Sequence, residues 1–127
     1  MRRERAIEII EELPQITDGL RYGERTWYVG RKAFAWERPF SRADLRRFGD
    51  EVPPTGPILA VVTEDLHEKE AILADPPPGF FTIEHFDGYA AVLIQLDAAR
   101  VRDVREAVVG AWLTVAPPHL AEEYMAR

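Results

Sequence analysis

Residues 89–96, Tyr-Ala-Ala-Val-Leu-Ile-Gln-Leu, constrain this chain more than any other segment. They form the strongest strand signal in the sequence and are apolar on both alternating faces. A strand of that kind is expected at the centre of a sheet with material packed on each side, because neither face tolerates water. The rest of the chain therefore has to supply a sheet and its covering layers. At 127 residues, 46% apolar and 30% charged, it has enough apolar surface for one domain spanning residues 1–127. There is no cysteine, so neither a disulfide nor a thiolate metal site holds it together.

The covering layers are legible as helices. Over residues 3–13, Ala6, Ile7, Ile9, Ile10 and Leu13 fall within an arc of roughly 160°, with Glu4, Arg5, Glu8, Glu11 and Glu12 opposite. Pro14 ends that helix, and Thr17-Asp18-Gly19 supplies turn chemistry. A last long helix follows Asp97 with Val101, Val104, Val108, Val109, Trp112 and Val115 as its stripe, broken at Ala116-Pro117-Pro118. Residues 119–126 add a further helical turn or two. Ser41 with Asp44 opens a short helix that Gly49 closes, and Thr63 or Asp65 caps another that Asp75-Pro-Pro-Pro-Gly79 stops.

The remaining strands are shorter. Residues 25–37 read as a β-hairpin turning at Gly30-Arg31, with Val29 opposite Lys32, Trp27 opposite Phe34 and Arg25 opposite Trp36. That register gathers Trp27, Val29, Phe34 and Trp36 on one face and Thr26, Tyr28, Ala33 and Ala35 on the other. Residues 58–62 are a buried strand, residues 80–82 a short one, and His85-Phe-Asp-Gly88 a turn. The order gives an α+β fold, with helices against a mainly antiparallel β-sheet.

Charge divides the chain. The net charge is −6, yet residues 1–47 carry eleven basic and eight acidic residues, against five and fourteen in residues 48–127. The basic stretch Arg21, Arg25, Arg31, Lys32, Arg38, Arg42, Arg46 and Arg47 is the candidate nucleic-acid surface, since phosphate binding needs clustered, reachable cations. The plain alternative is an ordinary solvated surface. A second candidate is a planar-ligand pocket built from Trp27, Trp36, Tyr89, Arg105 and Trp112, whose plain alternative is a hydrophobic core. Arg105 enters it from inside the apolar arc of the last helix, where its stem otherwise simply covers apolar surface.

Other chemistries find little purchase. The only serine is Ser41, better explained as a helix cap, and neither a Gly-x-Ser-x-Gly elbow, a P-loop nor a GxGxxG run occurs. The three histidines, His67, His85 and His119, are far apart, and Glu84-His85-x-Asp87 has no spacing that makes ligands converge on a metal. No catalytic constellation, metal site or cofactor is expected. No apolar run approaches the ~18 residues of a membrane span, and no signal-peptide core follows the start, so a cytoplasmic protein is expected.

The order of landmarks resembles the MmcQ/YjbR family, whose fold is YjbR/CyaY-like. The matching pieces are Leu13-Pro14 at the end of the first helix, the hairpin Trp27-Tyr-Val-Gly-Arg-Lys-Ala-Phe-Ala35, Asp87-Gly-Tyr before an apolar strand, and Ala111-Trp112 with Ala116-Pro117. The resemblance implies an α+β sandwich. It also implies duplex DNA as a partner, through a double-wing-like hairpin surface, or the handling of a small molecule. The looser likeness to frataxin-type folds implies cation binding on the acidic first helix. Pro118 stands where the family commonly has Lys, and residues 38–57 exceed its compact pattern.

Overall fold

The computed structural model describes all 127 residues. Its elements run α1 (Arg3–Glu11), β1 (Ile16–Arg21), β2 (Glu24–Val29), β3 (Lys32–Glu37), α2 (Arg42–Phe48) and β4 (Ile58–Val62). They continue with α3 (Leu66–Ala74), β5 (Phe80–Phe81), a 3-10 turn (Glu84–Phe86), β6 (Ala91–Gln95), a second 3-10 turn (Leu96–Ala98), α4 (Val101–Val115) and α5 (Pro118–Met125). The six strands form one antiparallel sheet in the order β1-β2-β3-β4-β6-β5. This is the α+β architecture that the sequence predicts.

Strand β6 is buried throughout its first four residues, as its double-sided apolar pattern requires. It lies second from the edge rather than central, and its outer neighbour β5 is only two residues long. Side chains alternate cleanly. Leu59, Val61, Val92 and Ile94 join the larger core with Ala6, Ile9 and Ile10 of α1 and Val104, Val108 and Trp112 of α4. Ile58, Ala60, Ala91 and Leu93 face the opposite way, into a smaller core with Trp36, Ile83 and Phe86. The indole N–H of Trp112 donates to the carbonyl of Pro14 at 3.0 Å, tying α4 to the end of the first helical segment.

Two expectations are corrected. Residues 17–19 are not a turn. They lie inside β1, every residue of which pairs with β2, from Ile16 opposite Val29 to Arg21 opposite Glu24. The turn falls instead at Tyr22-Gly23, both with positive φ (53° and 80°), the geometry that joins two right-twisted strands in two residues. Asp18-Gly19 is locally turn-like, and the full ladder to β2 overrides it.

The second correction concerns the β2–β3 hairpin. It turns at Gly30-Arg31 and sets Val29 opposite Lys32 as expected, but a β-bulge follows. Tyr28 pairs with Ala33, then Trp27 pairs with Ala35 and Thr26 with Trp36, leaving Phe34 as the additional residue. Phe34 and Ala35 both join the larger core, whereas Trp36 is turned to the other side of the sheet. Trp27 and Trp36 therefore do not share a face.

Tyr22 holds a left-handed backbone conformation that costs an ordinary L-residue about 1–2 kcal/mol and asparagine much less. Tyr22→Asn is expected to stabilise the fold by about 0.5–1 kcal/mol. A rise in the urea midpoint at unchanged m-value checks this, and a fall contradicts it.

Candidate functional site

The bulge makes the site. With Trp36 on the smaller-core side of the sheet, its ring meets Tyr89, just ahead of β6, at 6.1 Å between centroids and 27° between planes. Phe86 closes a triangle with the two, 6.4 Å from Trp36 and 5.5 Å from Tyr89. These rings border an open cleft of about 830 Å³ between β1–β3, the segment leading into α2, and the turn before β6. Arg21, Tyr22, Arg38, Phe40, Ser41 and His85 complete most of its lining. Trp36 is almost covered, at 6% exposure, while Tyr89 and Tyr22 present 43% and 96% of their surface.

Each wall has a local cause. Arg21 ends β1 on the same face as Trp36, and its guanidinium carbon lies 4.9 Å from the Trp36 ring centroid, a cation–π contact. No carboxylate pairs with Arg21, although Glu24 stands opposite it in the ladder and also lines the cleft. Arg38, just past β3, lies 5.6 Å from the centre of the Phe86 ring and pairs with Asp44 at 2.9 Å. The turn carrying His85, Phe86 and Tyr89 is held from behind by Lys69 of α3, a buried lysine whose Nζ donates to the carbonyls of Phe86 (2.5 Å) and Tyr89 (2.7 Å). Burial pushes the Lys69 ammonium below its ordinary value, against the opposing charge of Asp87.

Asp44 anchors the opposite wall. Its backbone N–H donates to Ser41 Oγ, and its carboxylate accepts from the Ser41 backbone N–H at 2.8 Å. The expected helix start is thus a full capping box. Burial pushes the Asp44 carboxyl up, but the Ser41 N–H and the Arg38 guanidinium together outweigh this and hold it below the usual carboxylate range.

The expected nucleic-acid residues separate into groups. Arg25 pairs with Asp18 at 3.1 Å and Glu11 at 3.3 Å on the larger-core side, its guanidinium near the Trp27 ring. Arg38 and Arg47 both approach Asp44. Arg31 and Lys32 sit at the hairpin tip, Arg42 and Arg46 on α2, and Arg21 in the cleft, none with a carboxylate partner. Of the expected planar-ligand residues, Trp36 and Tyr89 come together. Trp27 and Trp112 are wholly buried in the other core, and Arg105 on α4 is not among the cleft residues. The cleft thus joins Arg21 and Arg38 of the basic stretch with Trp36 and Tyr89 of the aromatic set, and adds Phe86 and His85 from the turn before β6, where no local sequence signal marks them as lining a site.

No cluster of three histidine, aspartate or glutamate side chains is placed to hold a metal ion, and no helix is long and apolar enough to cross a membrane.

Because the folded Asp44 carboxyl binds its proton less tightly than the unfolded one, its stabilising contribution is complete above the unfolded value of about 3.9 and is lost as pH falls through the folded value. Urea denaturation at pH 7 and pH 3 is expected to show a smaller acid loss in Asp44→Asn than in the parent. An equal loss in both contradicts that assignment.

Among proteins of known sequence, the chain is 47% identical over 103 residues to Uncharacterized protein Rv2570 of Mycobacterium tuberculosis, and equally to Uncharacterized protein Mb2600 of Mycobacterium bovis. The match covers 79% of this chain and 79% of each relative. No family model matches the chain, and no solved structure matches it.

Proposed function

The chain belongs to the family of these mycobacterial proteins, and for it we propose a role as a cytoplasmic binding protein for a planar small molecule, taken up in the Trp36–Tyr89 cleft. The observation that carries this reading is an aromatic triangle at the border of an open 830 Å³ cleft, with an arginine laid against its innermost ring. That volume lies within the range of small-molecule sites, and aromatic lining with a few convergent polar groups is their usual composition. Stacking is tolerant of ring identity because every planar π-system offers a face. Tyr89 offers the accessible face. Trp36 becomes available when the Arg21 guanidinium moves aside, exchanging a cation–π contact of about 0.5–1 kcal/mol for ring stacking. Arg21 then meets the polar substituents of the ligand, with His85 and the Ser41 hydroxyl beside it. The wider kinship we propose is with the MmcQ/YjbR proteins, supported by the helix, hairpin and C-terminal helices standing in the order that resemblance implies.

Thermal-shift measurement with riboflavin, adenosine and 1-naphthol is expected to find stabilisation by at least one of the three. Tyr89→Ala, at an exposed ring, is expected to weaken that binding about tenfold or more. No shift with any planar compound, or a shift indifferent to Tyr89→Ala, removes the cleft from consideration.

A second reading, duplex DNA binding, draws support from Arg31, Lys32, Arg42 and Arg46, which are exposed and free of carboxylate partners. Against a net charge of −6 it has to be one-sided, salt-sensitive and no tighter than about 10⁻⁴–10⁻⁶ M at physiological salt. Under this reading the Arg31→Ala, Lys32→Ala, Arg46→Ala triple variant loses retention on immobilised duplex DNA at low salt. Equal retention by parent and variant eliminates it.

A further inference from the structure

Of the two arginines lining the Trp36–Tyr89 cleft, only Arg21 lacks an anionic partner. Its side chain also donates no hydrogen bond to any protein acceptor. The guanidinium lies over the Trp36 ring, 4.9 Å from the centroid, and that contact consumes none of its five N–H donors. Arg21 is only partly covered, so those donors stay within reach of a molecule entering the cleft.

Its neighbours in the lining point to the same class of ligand. Arg38 uses one terminal nitrogen for both Asp44 and the Pro39 carbonyl, leaving its other N–H groups unspent. Asp44 itself is buried and lies outside the lining. The exposed Ser41 hydroxyl accepts from the Asp44 N–H and donates to no protein group. Of the two carboxylates that reach the cleft, Glu37 is engaged by Arg3, and Glu24 alone is free. The cleft therefore presents unspent donors on two guanidinium groups and a hydroxyl against one free carboxylate. A neutral substituent uses such donors weakly. Hydrogen bonds between two charged groups are roughly twice as strong, and the guanidinium fork matches a carboxylate or a phosphate in a bidentate fashion.

Resting on the planar-ligand reading above, we propose that the molecule taken up in this cleft is anionic. Its aromatic ring stacks on Tyr89 and carries a carboxylate or phosphate group, which the Arg21 fork binds with Arg38 and the Ser41 hydroxyl beside it. Arg21 thus selects for charge, and the rings select for planarity.

Riboflavin, adenosine and 1-naphthol each have an anionic counterpart of similar shape: riboflavin 5′-phosphate, adenosine 5′-monophosphate and 1-naphthoate. In the parent protein at low salt, the anionic member of at least one pair is expected to bind about tenfold or more tightly than its neutral partner. Arg21→Gln is expected to bring the two members of that pair within about threefold of each other. Nitrogen-15 spectra of the parent supply a second measurement should Arg21→Gln not fold. There the Arg21 Nε–H signal, assigned through bonds, is expected to move downfield with the anionic member and to hold its position with the neutral one. Equal affinity for neutral and anionic partners, both weakened by Tyr89→Ala, overturns the anionic assignment and leaves the planar-ligand reading standing. Failure of all six compounds to bind removes both. A preference undiminished in Arg21→Gln, or an Arg21 signal unmoved by the anionic member, also overturns the proposal.

Discussion

The additional residue in β3 governs more of this molecule than any single contact. A regular hairpin from the Gly30-Arg31 turn would place Trp27, Phe34 and Trp36 on one face. The bulge at Phe34 reverses the alternation beyond it. Trp27 and Phe34 stay against α1 and α4, while Trp36 passes through to the other side of the sheet. There it becomes the inner member of the triangle with Phe86 and Tyr89 and the support for Arg21. One unpaired position thus divides the aromatic residues into a closed core and an open cleft.

The two sides of that cleft are fixed by buried charges used as fasteners. Lys69 reaches from α3 to two carbonyls of the turn before β6, and Asp44 gathers the Ser41 N–H and the Arg38 guanidinium at the start of α2. Each is a charged group removed from water and repaid by specific hydrogen bonds, an arrangement that makes position stricter without necessarily making the fold more stable. The same arrangement governs the arginines. Arg25, Arg38 and Arg47 are engaged with carboxylates, so the basic stretch of the sequence is not a uniformly positive surface.

How much of this was legible residue by residue follows the range of the forces involved. The capping box at Ser41 and Asp44, the strand at residues 58–62 and the turn at Gly30-Arg31 depend on neighbours within a few positions, and the sequence signal was sufficient. Strand β1 was not legible, because Asp18-Gly19 resembles a turn and only the ladder to β2 makes it a strand. His85 and Phe86 sat in an apparently ordinary polar turn, and nothing near them in sequence indicates that Lys69 holds them beside Trp36. Arg21 and Tyr89, sixty-eight positions apart in the numbering, gave no sign of converging on one ring.

The sequence alone determined the α+β class, the apolar periodicity of α1 and α4, the double-sided burial of β6 and the absence of any cysteine chemistry. Each of these is a property of composition or of local spacing, which the chain carries whatever its partners. Tertiary structure decided which face each aromatic ring occupies, which arginines are neutralised, and which buried indole finds an acceptor. Those outcomes depend on strand register, where displacement by one residue reverses every side chain beyond it, and register is settled by the whole sheet together rather than by any segment of it.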